Sequence, residues 1–507
     1  MRTFFGSVAL ISLFAVLTRG TGFVFRIVLS RILGAELLGV YQIAFSFFLV
    51  FLTIIASGLP LIISRQISSS GGNRHRRGLV KAGLILSLAA AVGIIALVAF
   101  GQPVLKTLFA DDRAYTILVA LVPAILAYAV YTVLRAVWWG QKKYFLLGAS
   151  ELAEQVIRVV LFLVFLTFSS LFANLAILAA ISFTIACFLS ALLVVIVYRR
   201  DAKRSATGAG AAPLLATNKQ TPSLLRASAP ITIVRVLTTI AFPIIAVVVP
   251  LRLVAAGWDA SAAVAHFGIA VGMALPLLSI PQTIISSIAV ALVPELSKAN
   301  AEKDYSSVTK QIDSCIKFTL LINFILLPLF IALGPGIGQF LFANEAAGEY
   351  LRMSAWIMIP MSLSLITNAI LNSIGRESRA MIHYIIGSVA LFVSIWFLPQ
   401  FIGIGSLIIG IGICMSIAAL LNIRTIYRIT NQNLGVAHQL FAFALAAAPA
   451  AATAYLIFHF TPFLPLFFQL GFASMPAFII FMAITYWQDL IDLNTLKTRF
   501  RRKKAAH

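Results

Sequence analysis

Residues 4–41 read FFGSVALISLFAVLTRGTGFVFRIVLSRILGAELLGVY, a long apolar stretch with arginines far from its start. As a helix, this apolar stretch is longer than the ~20 residues needed to cross a bilayer, so it predicts a membrane span. Counted from Phe4 at ~1.5 Å per residue, Arg19 lies roughly 22 Å along the helix and Arg26 roughly 33 Å. A charge in hydrocarbon costs roughly 2.5–3.5 kcal/mol on insertion scales, so we expect Arg19 to face a cavity or a partner. Arg26, near the outer edge of the hydrocarbon, either does the same or extends to the outer headgroups.

The rest of the chain has the same apolar character. Of its 507 residues 61% are hydrophobic and 11% charged, and the mean hydropathy is +1.02. Soluble domains are nearer half apolar and a quarter charged, which excludes an ordinary water-soluble protein. The apolar runs number about 14 and are long enough for helices, whereas barrel strands would be half as long and alternate in polarity. We predict an all-α polytopic membrane protein with about 14 transmembrane helices.

The charges predict the orientation of the chain and its division. The sequence has 38 Lys and Arg against 16 Asp and Glu, a net charge of +22. Most basic residues fall on one side, among them Arg135, Lys142 and Lys143 near the fourth loop, so both termini are predicted to be cytoplasmic. The predicted parts are a six-span lobe at 1–198, a cytoplasmic linker at 199–224, a second six-span lobe at 225–430, and two further spans with a basic tail at 431–507.

A weak internal repeat supports two equivalent lobes. The segment WWGQKKYFLLGASE around Gly140 resembles NSIGRESRAMIHYIIGS around Gly375. Because six spans return the chain to the same side, both halves enter the membrane in the same direction. The two lobes would then be related by a pseudo-two-fold axis along the membrane normal.

Glycines and prolines predict interruptions in two of the spans. Gly20-Thr21-Gly22 predicts a bend in the first span. The seventh span, PITIVRVLTTIAFPIIAVVVP, is predicted to be broken by its prolines and carries Arg235 near mid-membrane. A guanidinium without a nearby acid suits phosphate, to which it offers several fixed donors. We therefore expect Arg235 to face the arginines of the first span across the two lobes.

Other polar groups within the spans admit two interpretations. Glu154 and Arg158 are four residues apart on one helix face and, with Glu151, form either an ion-coupling group or a structural ion pair. Four polar residues are candidates for binding sugar or a headgroup, although hydrogen bonding between helices is the simpler interpretation. They are His266, Gln282, Asn368 and Asn372.

Signatures of catalysis are missing from the sequence. The six histidines and three cysteines have no metal-ligand spacing, and no nucleophile or phosphate-loop motif occurs. We expect no enzyme activity, no catalytic residue, no metal, no cofactor and no nucleic-acid partner. An integral membrane glycosyltransferase is another possible class, but it would need acidic catalytic residues on a sizeable loop, and the sequence shows none.

Three segments resemble a known family: SRILGAELLGVYQIAFSFF, SGLPLIISRQIS and LRAVWWGQKKYFLLGASELAEQVIRVV. They are similar to the polysaccharide transporter branch of the multidrug/oligosaccharidyl-lipid/polysaccharide (MOP) superfamily, in particular to the stage V sporulation protein B group and its lipid II flippase relatives. The resemblance covers the whole chain. It implies an alternating-access transporter, monomeric and located in the bacterial plasma membrane.

The resemblance also implies a substrate and partners. The substrate would be a saccharide linked to undecaprenyl pyrophosphate, moved from the inner to the outer leaflet, with membrane lipids and cell-wall synthesis enzymes as partners. By position, Arg19 and Arg26 match the cavity arginines of lipid II flippases. The chain departs from that pattern at Arg65, which lies at the cytoplasmic end of its span, and in the eighth span, which has His266 but no Arg or Lys.

The sequence thus favours a flippase for a lipid-linked oligosaccharide or peptidoglycan precursor of the cell or spore wall. One alternative is a cation-coupled multidrug exporter of the same superfamily, which would line its cavity with acidic or aromatic groups. The other is a non-transporting membrane scaffold, which has no need for mid-membrane arginines.

Overall fold

The computed structural model of the chain describes residues 2–69, 73–109, 111–169, 174–205, 220–302, 305–430, 435–488 and 490. These residues are almost entirely helical, as the apolar runs predict. By Cα proximity they form two compact units, Met1–Gly268 and Ile269–His507.

The first unit contains eleven helices within the residues described. They are α1 (Arg2–Ala56), α2 (Gly58–Ser69), α3 (Asn73–Phe100), α4 (Gln102–Leu108), α5 (Arg113–Leu121), α6 (Ala124–Gly140), α7 (Tyr144–Leu166), α8 (Leu175–Ser205), α9 (Gln220–Thr239), α10 (Ala241–Ala255) and α11 (Ala260–Phe267).

The long element α1 is two helices joined at Gly34. The backbone of Gly34 has φ +70° and ψ −178°, a conformation that only glycine adopts without strain. The bend predicted at Gly20-Thr21-Gly22 is wrong, because the backbone stays helical there and the Thr21 hydroxyl donates to the Leu17 carbonyl at 2.9 Å. Glycine lowers helix stability by only about 1 kcal/mol, which neighbouring turns can offset.

The break predicted in the seventh span is present. Helix α9 ends at Thr239 and α10 begins at Ala241. Pro243 has no N–H to donate to the carbonyl of Thr239, so the regular hydrogen-bond ladder cannot continue across this point.

Helices α9, α10 and α11 pack within the first unit, beyond the predicted linker. The Thr53 hydroxyl lies 3.5 Å from that of Thr239 on α9. At the crossing of α1 and α11, a Cβ on Gly39 would lie 2.1 Å from the Val264 carbonyl oxygen, so only glycine allows this approach. The contacts therefore divide the chain after Gly268. Much of the predicted linker (206–219) lies outside the described residues.

The second unit begins in a π-helical segment, Gly268–Ala274, and its helices follow in chain order. They are α12 (Leu275–Leu278), α13 (Ile280–Ala301), α14 (Tyr305–Phe342), α15 (Glu345–Ser354), α16 (Met358–Ser373), α17 (Glu377–Phe397), α18 (Pro399–Ile402), α19 (Gly405–Thr430), α20 (Val436–Phe460) and α21 (Leu466–Trp487), with a 3₁₀ turn at Ala355–Ile357.

Length and composition suit many of these helices to a bilayer. Within the described residues, twelve stretches are long and apolar enough to cross a membrane. One of them, Leu13–Ser69, has 57 residues and contains the break at Gly34. Helix α7, with 23 residues, is not among the twelve and carries three charged side chains. The chain is a multi-pass membrane protein, and the count of 14 stays a prediction.

Candidate functional site

Helix α7 presents its charged residues to α1 and α6 within the first unit. Glu151, Glu154 and Arg158 are spaced by three and four residues, which places them along one side of the helix. Helix α1 packs along this side, as the ring contact of Phe25 with Phe162 at 5.6 Å shows. Polar groups on these facing helices form two layers, one around each glutamate.

The first layer is centred on Glu151. Arg135 of α6 donates from Nη2 to Glu151 Oε2 at 2.8 Å and to the Leu147 carbonyl at 3.1 Å. Its guanidinium also lies over the ring of Tyr131, 4.9 Å from the centroid. The Arg135 side chain is 19% exposed and that of Glu151 50%. The arginine is thus held on three sides, whereas the carboxylate is half open.

A small cavity adjoins this layer and contains Arg19. Its volume is ~150 Å³, and residues of α1 and α7 line it. The lining residues are Phe14, Ala15, Thr18, Arg19, Tyr144, Leu147, Gly148 and Glu151. Thr18 is 7% exposed, and among the described residues its hydroxyl has no hydrogen-bond partner. Glu151 therefore bonds to one arginine and shares a cavity with a second.

The second layer is a closed ionic cluster around Glu154. Arg158 Nη2 donates to Glu154 Oε1 at 2.6 Å, and the Tyr128 hydroxyl donates to the same oxygen. The guanidinium of Arg158 lies 4.3 Å from the ring centroid of Phe183. The side chains of Arg158 and Glu154 are only 12% and 7% exposed. This is the ion pair that the spacing of Glu154 and Arg158 predicts, and both of its side chains are largely buried.

Arg26 lies further along α1 and is half-buried. Tyr41 is within electrostatic reach of both Arg26 and Arg158. In the described part of the chain, no hydrogen bond or ion pair to the Arg26 side chain is found. Arg19, Arg26, Arg135 and Arg158, with Glu151 and Glu154, are together called the polar column; Arg135 and Arg158 bond to its glutamates, and Arg19 shares a cavity with Glu151.

Among the described residues, no hydrogen bond or ion pair joins the Arg235 side chain to the polar column. Its side chain is exposed on α9, and it is not among the residues that line the cavity of Arg19. Its contacts place it in the same unit as Arg19. Its carbonyl accepts hydrogen bonds from the hydroxyls of Thr238 and Thr239, both at 2.8 Å. The predicted meeting of Arg235 with the first-span arginines stays a prediction.

The predicted sugar-binding residues are dispersed. His266, on α11, packs its ring edge-on against Trp258 at 4.9 Å between centroids. Gln282 is half-buried on α13, Asn368 is half-buried on α16, and Asn372 is exposed one turn further along. The structure brings only the last two close together.

Asn368 belongs to a neutral cluster that the sequence analysis did not find. Asn422 of α19 donates from Nδ2 to Asn368 Oδ1 at 3.0 Å and to the Thr367 hydroxyl at 3.1 Å. Its Oδ1 lies 2.7 Å from Nδ1 of His383 on α17. Asn422 is completely buried. The sequence signal that could have indicated this cluster was Asn422 itself, a single amide within an apolar run.

Arg135 was also missed as a site residue. The sequence counts it among the basic residues of one side of the membrane, and the structure places it within α6, with its side chain mostly buried against Tyr131 and Glu151. The local sequence gave no sign that Arg135 is buried, because the acid that bonds to it lies on the next helix. Within the described ranges, no group of three metal-ligating side chains occurs.

Two protein-family models and a protein of Bacillus subtilis are similar in sequence to this chain. The model of the polysaccharide biosynthesis protein family matches residues 5–300, and the MatE family model matches residues 230–397. Stage V sporulation protein B of Bacillus subtilis is 25% identical over 393 residues, which cover 76% of this chain and 76% of that protein.

Solved structures resemble it in fold. Lipid II flippase MurJ, in an inward closed conformation, has a TM-score of 0.67 at 17% identity, over 96% of this chain and 100% of that one. An inward-facing multidrug resistance MATE family transporter of the MOP superfamily has a TM-score of 0.65 at 16% identity, over 83% and 94%. The resemblance to the MOP superfamily is confirmed, and the similar proteins include flippases and transporters.

Proposed function

Since the chain belongs to the polysaccharide biosynthesis protein family, we propose that it is an alternating-access flippase for a saccharide carried on a lipid pyrophosphate. It moves this substrate from the inner to the outer leaflet of a bacterial plasma membrane, with both chain termini in the cytoplasm. The substrate is an oligosaccharide or peptidoglycan precursor attached to undecaprenyl pyrophosphate. No enzymatic step is part of this function.

One observation carries the proposal: the polar column of the first unit has more guanidinium than carboxylate groups. Arg158 is neutralised by Glu154, and Arg135 bonds to Glu151. Arg26 adds a further positive charge on α1, with no hydrogen bond or ion pair to its side chain among the described residues, and Arg19 lies on the same helix. Charges within membrane helices are costly and are retained where they serve a ligand or pathway. The net positive charge suits an anionic group, and arginine binds phosphate oxygens in pairs.

The membrane potential supports the direction. A pyrophosphate diester carries about two negative charges, and the potential contributes about 2.3 kcal/mol per charge per 100 mV. Outward movement across an inside-negative membrane is therefore favourable without a coupled ion. Sodium or proton coupling would be an additional source of free energy.

In this proposal the charged and neutral residues have separate tasks. Arg19, Arg26 and Arg235 hold the pyrophosphate, and the neutral polar residues accept the sugar hydroxyls. Those neutral residues are His266, Gln282, Asn368 and Asn372. Glu154 and Arg158 hold α6 and α7 together, whereas the half-exposed Glu151 remains available for a change of partner.

The resemblance to MATE transporters makes a cation-coupled drug exporter the second function to consider. A cationic drug requires a surplus of acidic groups or an aromatic lining. The column described here has four arginines and two glutamates, so its charge opposes a cation. A non-transporting scaffold would have no use for that charge.

The proposal is tested by following a labelled lipid-linked saccharide between leaflets of proteoliposomes that contain the purified protein. Arg19→Ala and Arg26→Ala should each slow transfer roughly tenfold or more, because a hydrogen bond to a charged group contributes about 1.5–3 kcal/mol. Arg424→Ala, which removes an exposed arginine of α19, is the matched control and should transfer at the normal rate. Unchanged transfer by the double variant Arg19→Ala/Arg235→Ala would refute the assigned site.

A further inference from the structure

We propose that Glu151 is an internal competitor for the substrate's phosphate, an inference that rests on the proposed flippase function. Without substrate its carboxylate occupies the Arg135 guanidinium and adjoins the cavity of Arg19. A phosphate oxygen of the substrate then takes the place of this carboxylate. Glu151 is thus a positioning residue that sets how readily the phosphate is bound and released.

The two ends of the Arg135–Glu151 pair differ in how firmly they are held. The guanidinium also donates to the Leu147 carbonyl and stacks over Tyr131. The Glu151 carboxylate is 50% exposed, and Arg135 is its hydrogen-bond partner in the described structure. The carboxylate can therefore move away while the guanidinium stays, so Arg135 is ready to accept another anion.

Glu154, one turn away on the same helix, shows what a permanent partner looks like. Its carboxylate is 7% exposed and accepts hydrogen bonds from both Arg158 and Tyr128. Releasing it would leave a charge in a closed apolar environment, which is strongly unfavourable. Glu151 has no such enclosure. Of the two glutamates, only Glu151 is placed to exchange.

The cavity beside Glu151 has an open hydrogen-bonding position. Thr18 lines this cavity and is only 7% exposed. Its hydroxyl has no hydrogen-bond partner among the described residues. A buried hydroxyl without a partner is costly and is normally satisfied by water or a ligand. A hydroxyl and the Arg19 guanidinium are both donors to an oxyanion. Displacement of Glu151 by a phosphate oxygen would bring the anion to the Arg135 guanidinium, beside the cavity that Arg19 and Thr18 line.

The test measures binding and transfer separately in the purified full-length protein. The binding probes are inorganic pyrophosphate and undecaprenyl pyrophosphate, titrated in detergent. Glu151→Gln keeps the shape of the side chain and removes its charge. We expect this variant to bind both probes roughly tenfold more tightly and to transfer the lipid-linked saccharide more slowly, because release has lost its competitor.

Two further variants complete the design. Glu377→Gln, an exposed position at the start of α17, removes the same charge outside the column and should bind like the unmodified protein. Thr18→Val keeps the shape of the side chain, removes the hydroxyl, and should weaken binding of both probes severalfold. It tests the cavity even if Glu151→Gln does not fold.

The outcomes distinguish this inference from the function on which it rests. Equal or weaker pyrophosphate binding by Glu151→Gln, with normal transfer by the unmodified protein, overturns the competitor role and leaves the flippase in place. Unchanged binding by Thr18→Val overturns the role of the cavity. If the unmodified protein neither binds the probes nor transfers the lipid-linked saccharide, both proposals fail.

Discussion

The polar cluster around α7 in the first unit is built on charged side chains, whereas the cluster around α17 in the second unit is neutral. Helix α7 follows the Gly140 segment and α17 follows the Gly375 segment that resembles it. Around α7 the partners are arginines and glutamates; around α17 they are the amides, hydroxyl and imidazole of Asn422, Asn368, Thr367 and His383.

The difference shows which region has binding capacity to spare. The Asn422 side chain uses its amide hydrogens on Thr367 and Asn368 and its oxygen on His383, so its own hydrogen-bonding capacity is used within the cluster. The polar column has the half-exposed Glu151, the Arg26 side chain without a hydrogen bond or ion pair among the described residues, and beside it the buried Thr18 hydroxyl. We infer that the first unit recognises the charge of the substrate and that the neutral cluster mainly joins helices α16, α17 and α19.

The largest effect on stability should come from breaking the closed ion pair. Arg158→Leu leaves Glu154 as a buried charge and should lower the free energy of unfolding by about 3–5 kcal/mol. The double variant Glu154→Leu/Arg158→Leu removes both charges and should recover most of this loss. Thermal unfolding in detergent measures both. Equal losses in the single and double variants would contradict the idea that charge balance holds this region.

A smaller loss should follow disruption of the neutral cluster. Asn422→Ala leaves His383 and Thr367 without their partner and should cost about 1–3 kcal/mol in the same unfolding measurement. Asn372→Ala, at an exposed position, is the control and should stay within about 0.5 kcal/mol of the unmodified protein. A loss for Asn422→Ala as large as that for Arg158→Leu would erase the distinction between the two regions.

The smallest effect should arise at a carboxylate outside both regions. The Asp259 carboxylate accepts hydrogen bonds from the backbone N–H groups of Ser261 at 3.0 Å and Ala262 at 3.3 Å and from the Ser261 hydroxyl. The bond from that hydroxyl, followed by the backbone bonds, lowers the pKa of Asp259. Its folded pKa lies below the unfolded value of about 3.9, so its stabilisation is present at neutral pH and is lost in acid below that value.

Asp259→Asn tests this reference position. Asparagine also caps a helix well, so the unfolding temperature should hardly change at neutral pH. Below about pH 4 the unfolding temperature of the unmodified protein should fall partly because Asp259 becomes protonated. This part of the fall should be absent in the variant. An effect at neutral pH comparable to that of Asn422→Ala would show that exposed and buried polar groups matter equally here.

Much of the candidate site depends on partners that the sequence does not place together. The spacing of Glu154 and Arg158 predicts their pair because both lie on one helix. Tyr128 reaches Glu154 from α6, and Asn422 reaches Thr367 across 55 residues of chain. Local periodicity carries no information about such distances, which is why Arg135 and Asn422 were missed.

The sequence by itself determined that this is a helical multi-pass membrane protein with arginines in its first span, because length and apolarity are properties of single segments. The helix break before Pro243 could also be predicted from the sequence, because the N–H that proline lacks affects only the preceding turn of the helix. Only the tertiary structure decided that α1 divides at Gly34, that α9 to α11 pack with the first unit, and that Glu151 shares a cavity with Arg19. Those outcomes depend on which helices meet, and the free energy of a buried charge is set by its neighbours in space.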